Sequence, residues 1–288
     1  MRVNDYLDLM RAPAALTVLG DTVVGAIWSN RSVSRRRLAL PLASVLLYWS
    51  GMVFNDFADR KRDAIERPER PIPSGRVSAE SALALGTGLA AAGFATATAA
   101  GGRHGLAAAG RIAGCVVVYD FVAKDTPAGP LVMAGCRFLD VMLGATPHYR
   151  SALIPASVMG LHTTAITVLS QSEVSGSQPS LPVAVAIMAG GVAAAAMATA
   201  RPAALPWHRA APAAGVYAWS FGPSLWAAWQ RPSAERIRAS VRAGIASTIA
   251  VQAMLAARSQ RSVAMYALCV LAIRVRLGVS APTPTEVT

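Results

Sequence analysis

Asp56, Asp59 and Asp63 lie three and then four residues apart, the spacing that stacks side chains on one face of an α-helix. With Glu66 and Glu69 they make up five of the chain's fifteen acidic residues, all within the stretch NDFADRKRDAIERPERPIPSG at 55–75. Like charges on one face repel one another unless a cation lies among them. Carboxylate oxygens are hard donors that suit magnesium, which typically takes one or two carboxylates, several waters and phosphate oxygens. Asn55 adds a neutral oxygen donor, and Arg60, Lys61, Arg62, Arg67 and Arg70 offer the positive charge that a phosphate needs. The pattern predicts a magnesium and diphosphate site. The plainer alternative is a solvated helix end whose charges alternate in sign for solubility.

The elements that must hold these residues are apolar. Of 288 residues, 54% are hydrophobic and 15% charged, with a mean hydropathy of +0.42, a composition that describes a membrane protein. Spans are predicted at 12–29, 38–57, 78–100, 104–121, 130–146, 152–170, 181–200, 209–229, 237–257 and 262–277, each near the ~20 residues a bilayer requires. The fold expected is all-α, a polytopic transmembrane bundle of about nine helices. It becomes ten if neither 209–229, which contains Gly222-Pro223 and several tryptophans, nor the short last block lies in the interface. No composition break interrupts the chain, so residues 1–288 read as a single integral-membrane domain.

The net charge of +12 does not imply nucleic acid, because the arginines cluster at the ends of apolar blocks instead of lining one face. Basic residues on the side of the 58–77 loop outnumber those opposite by a small margin, which places that loop in the cytoplasm of a bacterial cell membrane. Two lysines against twenty-five arginines, with abundant alanine, suit a high-GC genome. Cys115, Cys136 and Cys269 share no ligand-like spacing, so packing is their expected role. The N-terminal segment MRVNDYLDLMRAP carries Asp5 and Asp8 and no cleavage signature, so no removable signal peptide is expected.

The order N-D-x-x-D-x-x-x-D at 55–63, followed by Arg70, Pro71, Pro73, Ser74 and Gly75, resembles the first signature and the R-P-L-P-S-G-like turn of the UbiA superfamily of intramembrane prenyltransferases. The Asp-Gly and Ala-Arg pairs of CDP-alcohol phosphotransferases do not occur at the required offsets. A second segment, YDFVAKDTPAGP at 119–130, resembles the superfamily's Y-x-x-x-K-R-x-T, with Tyr119, Lys124 and Thr126 matching and Asp125 where a basic residue is usual. The resemblance implies magnesium held by Asn55, Asp56, Asp59 and Asp63. It also implies diphosphate contacts from Arg62, Arg70, Tyr119 and Lys124, the last two also in catalytic roles. The alternative for Tyr119 and Lys124 is an interfacial tyrosine and a snorkelling lysine.

The family's second acidic motif should follow the sixth helix, where this chain reads LSQSEVSG. Only Glu173 is acidic there, a weaker magnesium ligand at best, and Asp120 or Asp125 could substitute for the missing carboxylates. The segments TPAGPLVMAGCRFLDVMLGA, LHTTAITVLSQSEVSG and ERIRASVRAGI resemble the EboC branch of the superfamily, whose second motif is likewise degraded.

The implied function is magnesium-dependent ionisation of an isoprenyl diphosphate, followed by transfer of the prenyl group to a small-molecule or lipid acceptor. Two alternatives stand beside it: a terpene cyclase acting on a prenyl diphosphate, and a non-catalytic membrane component that binds or transports an isoprenoid-like metabolite. Within the spans, Arg137 and Asp140 lie three residues apart and are expected to pair, while Asp21, Arg111 and His162 stand as isolated ionisable groups.

Overall fold

The computed structural model describes residues 3–29, 35–198 and 207–257. Every long regular element among them is helical, as expected: α1 Val3–Leu9, α2 Ala15–Trp28, α3 Leu40–Glu66, α4 Ala79–Val118, α5 Gly129–Ala145, α6 Leu153–Ser170, α7 Ser180–Ala198, α8 Ala211–Gln230 and α9 Ala234–Ala257. The predicted span at 262–277, with Cys269, lies outside the described residues. Two compact units, Met1–Gln171 and Ser172–Thr288, divide the chain. The first contains α1 to α6 and the second α7 to α9.

The predicted spans at 78–100 and 104–121 fall in one element, α4, whose helical path is broken at Gly102 with φ 59° and ψ −147°. That region of backbone space is essentially closed to residues with a Cβ. Eight residues of straight helix would separate Ala97 from Gly105 by ~12 Å. Instead a Cβ on Gly105 would strike the Ala97 carbonyl, so the chain reverses at Gly102 and its halves pack at backbone contact. Leu40, Ala43 and Leu47 of α3 fill the groove against Ala97, Ala108, Ala109 and Ile112 of α4 and Leu143 of α5. The facing residues are mostly small, as lipid demands: helices there associate by close packing, because the tails outside are as apolar as the core.

α2 and α5 approach still more closely. A Cβ on Gly25 would meet the Val141 carbonyl, and one on Gly144 the Thr22 carbonyl. Among the described residues, five stretches are long and apolar enough to cross a membrane: Arg35–Glu66, Ala79–Ala123, Tyr149–Ser170, Ser180–Ala198 and Ala234–Ala257. α2 is apolar but shorter. α8 is long enough but less apolar, since tryptophan, serine, glycine and proline displace aliphatic residues. Its helix nevertheless continues through Pro223. Phe121, Val122, Leu131 and Ile187 are large side chains left mostly exposed on these helices, which a lipid-facing surface accommodates and an aqueous one does not.

Candidate active site

α3 is apolar as far as Phe54 and then polar from Asn55 to Glu66, so one rigid helix runs from the bundle core to a charged end. Beyond it the proline-rich segment folds tightly, with Ser74 N donating to Arg70 O at 3.0 Å, Val77 N to Pro71 O at 2.9 Å, and Gly75 at φ 74°. This turn brings Arg70 back against α3. Its Nη1 donates to Asp63 Oδ2 at 2.7 Å and to Asp56 Oδ1 at 3.2 Å, and Arg11 Nη2 donates to the same Asp56 oxygen at 2.9 Å. Asp56 and Asp63 are 5% and 3% exposed, so both carboxylates are committed to anchoring the turn and the N-terminal segment. Nearby, Arg76 Nη1 joins Asp5 at 2.9 Å and Asp8 at 3.2 Å. The Asp5 hydrogen bond holds the Arg76 guanidinium above its ordinary pKa.

Asn55 and Asp59, one turn apart on α3, face a cavity of about 420 Å³. Opposite them the helix that follows Val118 widens into one π turn, Tyr119–Ala123, closed by Lys124 N donating to Tyr119 O at 2.9 Å. That turn sets Tyr119, Asp120, Lys124 and Asp125 along the cavity wall. Asn55 Nδ2 donates to Asp120 Oδ1 at 2.8 Å. Asp59 is held by Arg62 Nη2 at 3.0 Å on one oxygen and by Lys124 Nζ on the other.

The structure therefore brings Asn55, Asp59, Asp63, Arg62, Arg70, Tyr119 and Lys124 to one cavity, Asp63 with its carboxylate bound to Arg70, and leaves Asp56 off its lining. Arg67 also lines it, whereas Arg60 folds over its own Phe57 ring at 4.3 Å. Arg11, which no local spacing singles out, is a further cavity residue.

Where the second acidic motif was expected, Ser170 and Gln171 line the cavity. Gln171 Nε2 donates to Thr126 O at 3.3 Å, a neutral clamp on the loop that carries Lys124. Glu173 belongs to the second unit, where its backbone carbonyl accepts from Arg238 Nη1 at 2.9 Å. In the membrane interior Arg137 pairs with Asp21, at 2.9 Å from Nε to Oδ2, and not with Asp140. The i, i+3 spacing permitted the Asp140 pairing, but Arg137 Nη2 also finds the Thr17 carbonyl at 2.9 Å on the same α2 face. His162 is fully buried and Arg111 is exposed.

Among the described residues no three acidic, histidine or cysteine side chains are gathered in a metal-ready cluster. The donor chemistry nonetheless fits magnesium, which needs only one or two carboxylates when phosphate and water complete its shell. Asp59, Asp120 and the Asn55 side chain are oxygen-bearing groups on a shared wall, and Lys124 and Arg62 are the cations that now neutralise Asp59.

A model of the UbiA prenyltransferase family matches residues 18–176, more than half of the chain. The chain belongs to the UbiA prenyltransferase family. Its helices and family place it among integral membrane proteins. This UbiA-family chain is 35% identical over 123 residues to the digeranylgeranylglyceryl phosphate synthase of Methanopyrus kandleri, 42% of this chain and 45% of that one. It is 42% identical over 67 residues to the bacteriochlorophyll synthase 34 kDa chain of Chloroflexus aurantiacus, 23% of this chain and 22% of that one. These matches span less than half the length of the curated relatives.

Solved structures extend the likeness of fold along most of the UbiA-family chain. A UbiA homolog from Aeropyrum pernix superposes with a TM-score of 0.68 at 19% identity, covering 83% of this chain and 96% of that one. A UbiA homolog from Archaeoglobus fulgidus bound to GPP and Mg2+ does so with a TM-score of 0.60 at 14% identity, covering 86% and 99%.

Proposed function

We propose that this protein is a membrane-embedded prenyltransferase that ionises an isoprenyl diphosphate and passes the prenyl group to a small-molecule or lipid acceptor. The observation that carries this reading is the polarity of the cavity. Its open end gathers Asn55, Asp59, Arg62, Arg67, Arg70 and Lys124, and below them lie Leu47, Gly51, Met52, Ile112, Val116 and Met133. A diphosphate with an apolar tail has the same division. Magnesium, held by Asp59 with Asn55 and Asp120, would supply the charge that stabilises a departing diphosphate.

The remaining work falls to the chain's own groups. Lys124 and Arg62 exchange their carboxylate partner for diphosphate oxygens, and the Tyr119 hydroxyl is placed to donate a hydrogen bond at the same wall. The apolar shaft keeps water from the carbon left electron-poor when its bond to oxygen breaks. The charged end is proposed to face the cytoplasm of a bacterial cell, as the excess of basic residues favours. The neutral Ser170 and Gln171 favour a second reading, in which the chain binds its isoprenoid ligand without ionising it.

Diphosphate release from geranyl, farnesyl and geranylgeranyl diphosphates, with magnesium and the protein in nanodiscs, separates the two readings. Release is expected, and tight binding without release from any donor supports the second reading. Lys124→Ala is expected to reduce kcat for release by about a hundredfold, the scale set by losing one preorganised donor. Wild-type kinetics in that variant would reduce Tyr119 and Lys124 to interface anchors.

A further inference from the structure

The deep end of the cavity carries polar groups that neither the packing nor the diphosphate chemistry requires. Ser44 on α3 and Asp140 on α5 line it at 2% and 5% exposure. Ser44 Oγ and Asp140 Oδ2 are buried without a partner in good hydrogen-bond geometry, and the polar group within hydrogen-bonding reach of the Asp140 carboxyl is the Ser44 hydroxyl itself. Arg137 is not Asp140's partner: the guanidinium is bound to Asp21 and the Thr17 carbonyl. The ion pair that ties α2 to α5 is therefore complete without Asp140, and among the described residues Asp140 takes part in no salt bridge.

A buried polar atom without a partner is unfavourable in water and more so at membrane depth. Natural structures rarely keep such an atom unless a ligand or an ordered water satisfies it. Here a hydroxyl and a carboxyl group from two different helices converge on a cavity wall with a guanidinium beside them, and the single Ser44 proton can satisfy only part of the carboxyl's acceptor capacity. Ser44 and Asn55 lie eleven residues apart along α3, so this floor sits ~16 Å below the charged end.

We infer that Ser44 and Asp140 form a second subsite of the cavity, one that takes a hydrogen-bond-donating hydroxyl at the far end from the diphosphate. The inference rests on the isoprenyl diphosphate reading above and names what that reading leaves open: the occupant is not hydrocarbon throughout. The hydroxyl belongs either to the distal end of the prenyl donor or to an alcohol-bearing acceptor seated beneath a short donor. In both cases it gives its proton to the Asp140 carboxyl oxygen in a hydrogen bond and accepts from Ser44 Oγ. A site built around a hydroxyl discriminates strongly against the analogue lacking it, because that analogue leaves the buried groups unmatched.

The test uses the full-length protein in nanodiscs with magnesium and thiolodiphosphates, which resist ionisation. Geranyl and farnesyl probes are compared with versions carrying a hydroxyl on the terminal methyl group. A parallel arm titrates 4-methylphenol in the presence of the dimethylallyl probe, too short to fill the shaft.

The expected result is a preference of at least about tenfold for one hydroxylated probe over its parent, or saturable phenol binding that requires the short probe. Either effect disappears in Asp140→Leu and weakens in Ser44→Ala, which serves where the first variant fails to fold. Equal or tighter binding of the plain hydrocarbon probes, with no phenol binding, overturns the subsite and leaves ordered water as the partner of Asp140. Failure of every thiolodiphosphate to bind a folded protein overturns the diphosphate reading instead, a different outcome from loss of hydroxyl preference alone.

Discussion

Replacing Asp59 by alanine is expected to lower magnesium-dependent binding of a prenyl diphosphate by at least about a hundredfold, and diphosphate release with it. The magnitude follows from ligand shells, where loss of a mere outer partner costs about 10- to 100-fold in metal affinity, so loss of a ligating carboxylate costs no less. Asp59 is singled out by its surroundings. Asp63 lines the cavity as well but is bound to Arg70 of the turn, whereas Asp59 is held by Arg62 and Lys124, cations of the cavity wall that a diphosphate can draw away.

Asp56 and Asp63 hold Arg70 and Arg11 in buried pairs, so Asp63→Ala is expected to act differently. Removing one partner of a buried pair costs about 3–5 kcal/mol, and the turn at 67–77 loosens with it. Titration calorimetry with a thiolodiphosphate, run beside thermal unfolding in detergent, distinguishes the two. Asp59→Ala keeps its unfolding midpoint and loses binding, whereas Asp63→Ala loses both. Unchanged affinity in Asp59→Ala would remove the assigned site.

That division of labour could not be read from spacing. A repeat of three and four residues puts Asp56, Asp59 and Asp63 on one face, and the structure lines the cavity with Asp59 and Asp63 but not with Asp56. What decides the role of each is the basic side chain that arrives from elsewhere: Arg11 from the N-terminal segment, Arg70 across the turn, Lys124 from beyond α4. The same reason explains Arg137. Its local neighbour Asp140 was legible, but its partner Asp21 lies 116 residues away in sequence, and only packing of α2 on α5 brings them together. Local signals fared better wherever the physics was local. Among the described residues the apolar blocks became helices, most within a few residues of their predicted ends, although α3 continues to Glu66, nine residues past the predicted 57, and the gap left between two predicted spans at 101–103 holds Gly102, where α4 reverses. The π turn at Tyr119–Ala123 escaped notice because no residue type announces one extra backbone atom group per turn, yet it sets Asp120 against Asn55.

The close packing of α2 on α5 leads to the largest expected effect on folding. Gly144→Val would place side-chain carbons where the Thr22 carbonyl now lies, and the obstacle is helix backbone, not the end of a flexible side chain. Overpacking typically costs about 1–3 kcal/mol when neighbours can repack. Here the neighbour cannot turn aside, and α2 must move bodily. The shift would draw Asp21 from Arg137 and open the floor beneath Ser44 and Asp140, so stability and the deep subsite fail together. Gly88 supplies the control: it is exposed on α4, and a Cβ there meets nothing within 4 Å. Gly88→Ala is expected to leave the protein monodisperse in detergent with an unchanged or raised unfolding midpoint, because alanine favours the helix by up to about 1 kcal/mol. Gly144→Val is expected to aggregate or to unfold well below wild type. Equal unfolding midpoints for these two variants would mean that α2 and α5 do not meet at backbone contact, and the Arg137–Asp21 pair would then need another support.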